Sequence, residues 1–179
     1  MTNTSFSLAT RSLHWLVGIT MLSLIIVGIY MANFEVWALY DIHKSMGVLA
    51  LLLILPRVIY RLIQGFPEAN SAHSQWEQKL SHIVHWILLI GTLMMPVSGM
   101  LYSGFGGYGV DIFGLSLVSE NVVDDSIVPY NESIFVISKA SHWVIGYCLS
   151  AAILLHVAGA LKHHVIDKDD TLKRMTGKA

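Results

Sequence analysis

The sequence predicts an all-α membrane protein, a four-transmembrane-helix bundle with both termini cytoplasmic. Three observations carry that expectation. The 179 residues are 54% hydrophobic and 13% charged, against roughly 25% charged in a soluble domain. The apolar residues gather into four blocks near residues 13–32, 44–64, 81–102 and 140–161, each close to the ~20 residues a helix needs to cross a bilayer. The basic residues divide unevenly between the two sides. Arg11, Arg57, Arg61, Lys79, Lys162, Lys168, Lys173, Arg174 and Lys178 fall on one side, and Lys44 and Lys139 on the other. Basic loops stay in the cytoplasm, so the first group marks the inner face.

Residues 1–179 read as a single integral membrane domain. The first block is too long for the apolar core of a signal peptide and no A-x-A-like site closes it, so it reads as a retained span. The second connection, around QGFPEANSAHSQWEQK, is polar and is expected to hold a short interfacial turn. The third, residues 103–139, carries GFGGYG and then ENVVDDSIVPYNES. Its acidic and turn-forming content suits an exposed outer cap. No strand precedes GFGGYG and no Rossmann helix follows it, so it reads as a flexible surface turn and not as a nucleotide loop. Cys148 is the single cysteine, which leaves no disulfide, CxxC or CxxCH motif. The net charge of −1 shows no basic face for nucleic acid.

Nine histidines are many for this length, and their depths sort them. His14 lies a turn into the first span on the cytoplasmic side, and His43 opens the second span on the outer side. His142 opens the fourth span from outside, and His156 lies near its cytoplasmic end. His82 and His85 begin the third span from the cytoplasm, His163 and His164 leave the fourth, and His73 is in a loop. Fourteen residues separate His142 from His156, roughly 21 Å of helix, and fourteen steps of about 100° return within roughly 40° of the start. Both rings therefore leave one face, near opposite sides of the hydrocarbon. That arrangement fits two redox centres stacked across a membrane.

A haem iron held by two histidines takes one from each of two facing helices, and the porphyrin must lie close against both. A bulky residue one turn away on the same face would obstruct it. His14 has Gly18 at i+4, His43 has Gly47, and His142 has Gly146; His156 has Gly159 at i+3 and Ala160 at i+4. His82 and His85 have Trp86 and Leu89 instead. Depth then pairs His43 with His142 at an outer haem and His14 with His156 at an inner one. The alternative is a set of interhelical hydrogen-bonding histidines beside ordinary packing glycines. Zinc fits less well, because structural zinc gathers four clustered ligands.

RSLHWLVG, DIHKSMG, the fourth span with its histidines fourteen apart, and LKHHVIDKDDTLKRMTGK together resemble the bacterial cytochrome b-561 family. That family is related to the haem-b subunits of membrane hydrogenases and formate dehydrogenases. The resemblance covers essentially the whole chain. It implies two non-covalent b haems in a four-helix bundle of the bacterial inner membrane, with ligands at His14, His43, His142 and His156. It further implies electron transfer between a quinone pool, ubiquinone in the first place, and an outer (periplasmic) donor. One type in the family resembles superoxide oxidases, which take an electron from superoxide at the outer haem and reduce ubiquinone near the inner one. In that type the quinone-side histidines match His85 and His163.

Bis-histidine iron is coordinatively saturated and suits outer-sphere electron transfer rather than oxygen activation. The outer loops are broadly acidic, yet Lys44 follows His43 and Lys139 precedes His142 by one turn. The two lysines either neutralise haem propionates or form a local basic funnel for an anion. Lys162, His163, His164, Arg57 and Arg61 suit contact with lipid headgroups. Trp15, Trp86 and Trp143 read as interfacial anchors. The competing functions are a haem-b anchor that docks a separate periplasmic or membrane redox partner, and a haem-free transporter, for which no inverted repeat is visible.

Overall fold

The computed structural model describes residues 6–66 and 73–178. Four helices are long and apolar enough to cross a membrane: α1 (Leu8–Asn33), α2 (Ala38–Gln64), α3 (Gln75–Phe105) and α4 (Glu132–Val165). Side-chain caps mark the starts of α1, α3 and α4, whereas α2 follows Trp37 without one. Ser7 Oγ accepts the Thr10 N–H at 3.2 Å ahead of α1. Glu77 reaches back to the Ser74 N–H at 3.1 Å ahead of α3, and Asn131 Oδ1 accepts the Ile134 N–H at 3.1 Å ahead of α4. These caps satisfy amides that have no partner in the first turn. All four helices contain their expected spans and overshoot them. The 34 residues of α4 reach about 51 Å at 1.5 Å per residue, well beyond a ~30 Å hydrocarbon core. The predicted interfacial turn in the second connection falls partly on residues 67–72, outside the described residues.

In lipid, helices gain little from burying apolar side chains, so close packing must hold the bundle together. The core is one layer at mid-depth: Val17, Met21 and Ile25 from α1, Ala50, Ile54 and Val58 from α2, Leu89 from α3 and Leu149 from α4. The longest shared face is between α3 and α4. It closes most tightly at Gly91, where an added Cβ would lie 2.7 Å from Leu149 Cδ2. Leu149, 1% exposed, sits midway between His142 and His156 in sequence.

The third connection is more ordered than its composition suggests. It contains two antiparallel hairpins, β1 (Tyr108–Ile112) with β2 (Leu115–Glu120), and β3 (Val122–Val123) with β4 (Ser126–Ile127). GFGGYG is therefore not a flexible surface turn. It spans the end of α3 and the entry to β1, and Gly104, Gly106, Gly107 and Gly109 are all buried. Gly107 holds φ +82° and Gly109 φ +66°, and a Cβ on Gly107 would collide with the Val128 carbonyl. Only glycine takes that backbone shape without strain. The hairpin is stitched onto the start of α2. Ser45 Oγ donates to the Asp111 carbonyl at 3.1 Å and accepts the Phe113 N–H at 3.0 Å. Lys44 Nζ donates to the Tyr108 carbonyl at 3.2 Å.

At the cytoplasmic end a fifth, short helix, α5 (Thr171–Thr176), folds back under the bundle. Trp15 Nε1 donates to the Met175 carbonyl at 3.1 Å and the Phe6 N–H to the Arg174 carbonyl at 3.3 Å. Trp15 thus ties down the tail as well as suiting an interface.

Candidate haem sites

A metal–imidazole bond is about 2.0 Å, and the bonding nitrogen lies about 1.1 Å from its ring centre, so two imidazoles facing each other across one metal have centres about 6.2 Å apart. The ring centres of His43 and His142 are 6.4 Å apart, and those of His14 and His156 are 6.0 Å apart. The structure thus brings together the pairs that depth alone suggests. Between and around His43 and His142 lies a cavity of about 570 Å³, within the ~300–1,000 Å³ usual for cofactor sites. Gly47 and Gly146 both line it. A Cβ on Gly47 would meet nothing within 4 Å, and one on Gly146 only the flexible tip of Met95 at 3.3 Å.

His142 is held in one orientation. Its Nδ1 donates to the Met95 carbonyl at 3.1 Å, with Ser98 Oγ also at 3.1 Å. A proton on Nδ1 leaves the Nε2 lone pair free, which is the state a metal ligand requires. His43 Nδ1 is buried with no hydrogen-bond partner among the described residues. Two glycines on neighbouring helices, which no spacing along one helix reveals, complete the cradle. Gly28 of α1 lies against the His43 ring and Gly99 of α3 against the His142 ring, where an added Cβ would come within 3.1 and 2.9 Å of the respective Cε1 atoms.

Three rings meet at the inner end. His85 lies 5.3 Å from His156, closer than His14 at 6.0 Å. Beside Gly18 and Gly159 a Cβ would meet nothing within 4 Å, whereas Leu89, one turn after His85, is built into the core. Arg57 Nη2 lies 3.2 Å from His14 Nδ1. A guanidinium can only donate, so in this arrangement the Nδ1 lone pair of His14 accepts from it. The inner pair is therefore less fully set than the outer one.

A family model described as prokaryotic cytochrome b561 matches residues 5–178. The chain belongs to the prokaryotic cytochrome b561 family. It is similar to cytochrome b561 homolog 2 of Escherichia coli K12, 28% identical over 97% of this chain and 92% of that one. It is similar also to a probable superoxide oxidase, CybB, of Yersinia pestis, 26% identical over 97% and 96%. Cytochrome b561 homolog 1 of Escherichia coli K12 is 29% identical over 95% and 96%. As a cytochrome b561 the chain is a multi-pass bacterial membrane protein of haem-b electron transfer. The paired imidazoles, the outer cavity and the orphaned His43 Nδ1 fit such a group.

The remaining predicted residues of this cytochrome b561 separate. Lys44 lines the outer cavity and pairs with Asp41 at 3.0 Å. Lys139 Nζ lies 5.6 Å from the centre of the Phe135 ring, which stacks on Tyr102, itself 6.4 Å from His142. His85 and His163 take different partners. Phe66 stacks on His85 with ring centres 6.0 Å apart. His163 stacks on His73 at 4.0 Å and its Nδ1 donates to Asp167 at 2.7 Å. The Lys162 ammonium, and then His163, hold the Asp167 carboxyl below the usual carboxylate range.

Proposed function

We propose that this chain is a transmembrane one-electron carrier with two b haems, the outer one between His43 and His142 and the inner one between His14 and His156. It links an outer donor, superoxide in first place, to ubiquinone near the inner site. The observation that carries the reading is the pair of ring separations, 6.4 and 6.0 Å, at opposite ends of α4. Haem b, when bound, supplies a centre that takes and gives one electron at a time. Around it, His142 Nδ1 keeps its proton on the Met95 carbonyl and so aims Nε2 into the cavity. Gly28 and Gly99 let the two ligand rings seat against their neighbouring helices, while Gly18, Gly47, Gly146 and Gly159 leave room for a planar macrocycle.

At the outer face, Lys44 and Lys139 offer cations near an otherwise acidic rim, which favours the approach of a small anion. At the inner face, His85 and His163 are assigned to the quinone, donating to its carbonyl oxygens and supplying protons. His85 suits this by its place between Phe66 and His156. The superoxide assignment is supported by the named activity of the Yersinia pestis relative. A second reading, a haem-b relay that docks a separate redox protein, is favoured by the outer hairpin, which exposes Phe113, Leu115 and Leu117.

The deciding experiment supplies superoxide to the purified protein with a soluble ubiquinone analogue. Quinol should form, and superoxide dismutase should abolish it. Quinol formation only after a second protein is added would replace the superoxide reading with the relay.

Arg57 provides a separate check. A unit charge about 7 Å from a redox centre at an effective dielectric of ~20 shifts it by about 2 kcal/mol, or ~90 mV for one electron. A nearby cation favours the reduced form, so Arg57→Gln is expected to lower the midpoint of the inner haem by roughly that amount. Redox titration should show the outer haem unmoved.

A further inference from the structure

Away from the membrane histidines, a second cluster forms at the cytoplasmic surface, where the loop before α3 meets the end of α4 and the start of the tail. His73 and His163 stack face to face, ring centres 4.0 Å apart and planes 6° from parallel. Their nitrogens turn toward one oxygen: Asp167 Oδ2 lies 2.7 Å from His163 Nδ1 and 4.0 Å from His73 Nε2. Asp169 Oδ2 lies 3.0 Å from His73 Nε2. One donor atom from each of His73, His163 and Asp167 falls within 4.8 Å of the others.

The surroundings hold this set in place. His163 lies in the last turn of α4, and Asp167 follows just beyond the end of that helix. Asp169 is fixed by the Thr171 N–H at 2.9 Å and the Thr171 hydroxyl at 3.0 Å, and its own N–H donates to the His163 carbonyl at 3.0 Å. The two imidazoles and Asp169 are largely shielded, at 13–17% side-chain exposure, and Asp167 lies at the surface. Lys162 faces the cluster, and Glu77 shares it, at 2.7 Å from Lys162 Nζ against 2.8 Å for Asp167. With neutral imidazoles, Glu77 and Asp167 share one ammonium, while Asp169 turns to His73 and Thr171.

We propose that His73, His163 and Asp167, with Asp169 as a fourth donor, bind one divalent transition-metal ion of the zinc type. Two imidazole nitrogens with one or two carboxylate oxygens suit zinc and its neighbours; calcium and magnesium prefer oxygen alone. Neutral imidazoles bind through a lone pair, so each ring carries its proton on the nitrogen turned away from the ion. The ion takes the place that the His163 Nδ1 proton now holds against Asp167, and because an imidazole binds metal in its own plane, His73 must tilt out of the stack to reach it.

Its effect would be mechanical. His73 belongs to the loop before α3, His163 to α4, and Asp167 and Asp169 to the turn that leads into α5. One ion would clip these three segments together and fix the tail that reaches Trp15, the neighbour of His14. The site is separate from both haem sites, and binding there needs neither haem turnover nor quinone.

The test uses untagged, haem-loaded protein in detergent and zinc chloride alone. Isothermal titration calorimetry should show one saturable zinc ion per chain. Binding should weaken at least tenfold in His73→Ala and in Asp167→Asn, and stay unchanged in His164→Ala. Zinc should also slow tryptic cleavage after Lys168 and Lys173 in the unaltered protein but not in His73→Ala. Absence of saturable binding, or equal binding in His73→Ala, overturns the proposal. Zinc bound without tail protection overturns the clip. Neither histidine variant depends on quinone chemistry, so these outcomes stand whether or not His163 serves a quinone.

Discussion

Replacing His142 with alanine is expected to halve the haem content of the purified protein, from two haems b per chain to one. The imidazole is not one contact among many at the outer site. In the proposed arrangement it is the α4 half of a two-ligand pair, held by the Met95 carbonyl at 3.1 Å and facing His43 at 6.4 Å between ring centres. Alanine removes the proposed metal ligand and leaves the Met95 carbonyl without that donor. Weak apolar contacts in the cavity cannot replace a metal–ligand bond, and the outer haem should be lost on purification. His14→Ala should remove the inner haem alone, because its partner, His156, is fourteen residues along α4 from His142. Pyridine haemochrome analysis of both variants is the measurement. Loss of both haems from either variant, or of none, would sink the proposed pairing.

Gly47→Leu should give nearly as large an effect for a different reason. A Cβ at Gly47 meets no atom within 4 Å, and the residue borders the 570 Å³ cavity. The added side chain therefore finds space without straining the protein, and that space is where the macrocycle would lie. Haem at the outer site should fall at least tenfold while the bundle remains folded by circular dichroism. Gly99→Ala makes a contrast, since its Cβ would press within 2.9 Å of His142 Cε1 and tilt the ligand. It should alter the haem spectrum more than the haem content. Full haem occupancy in Gly47→Leu would mean that the porphyrin does not run along α2.

The reach of the sequence follows from which interactions are local. Spans are visible because a bilayer demands long apolar runs, and the four helices contain all four predicted blocks. Their ends were not visible, because α3 and α4 continue as capped helices into water, where hydropathy no longer reports on them. The third connection departs from its composition for a related reason. Its glycines read as looseness, yet Gly107 and Gly109 use positive φ to bury the backbone under a hairpin whose strands are only two to six residues long.

At the sites, a small residue one turn from a histidine is a feature of one helix and can be read directly. Gly28, Gly99, Met95 and Arg57 matter because of which helices face each other, and no spacing along the chain announces that. The stacking of His73 on His163 is more distant still, joining residues ninety positions apart.

The mid-bundle layer of Val17, Ile54, Leu89 and Leu149 has an electrical consequence. It carries no charged group, so the membrane voltage must fall largely across it. The two histidine pairs stand about 21 Å apart along α4, roughly two-thirds of a ~30 Å hydrocarbon core. An electron moved inward across that distance works against a negative interior by about 1.5 kcal/mol for every 100 mV. The layer that packs the helices thus makes the chain a dielectric spacer, and inward electron flow through it should slow as the membrane becomes energised.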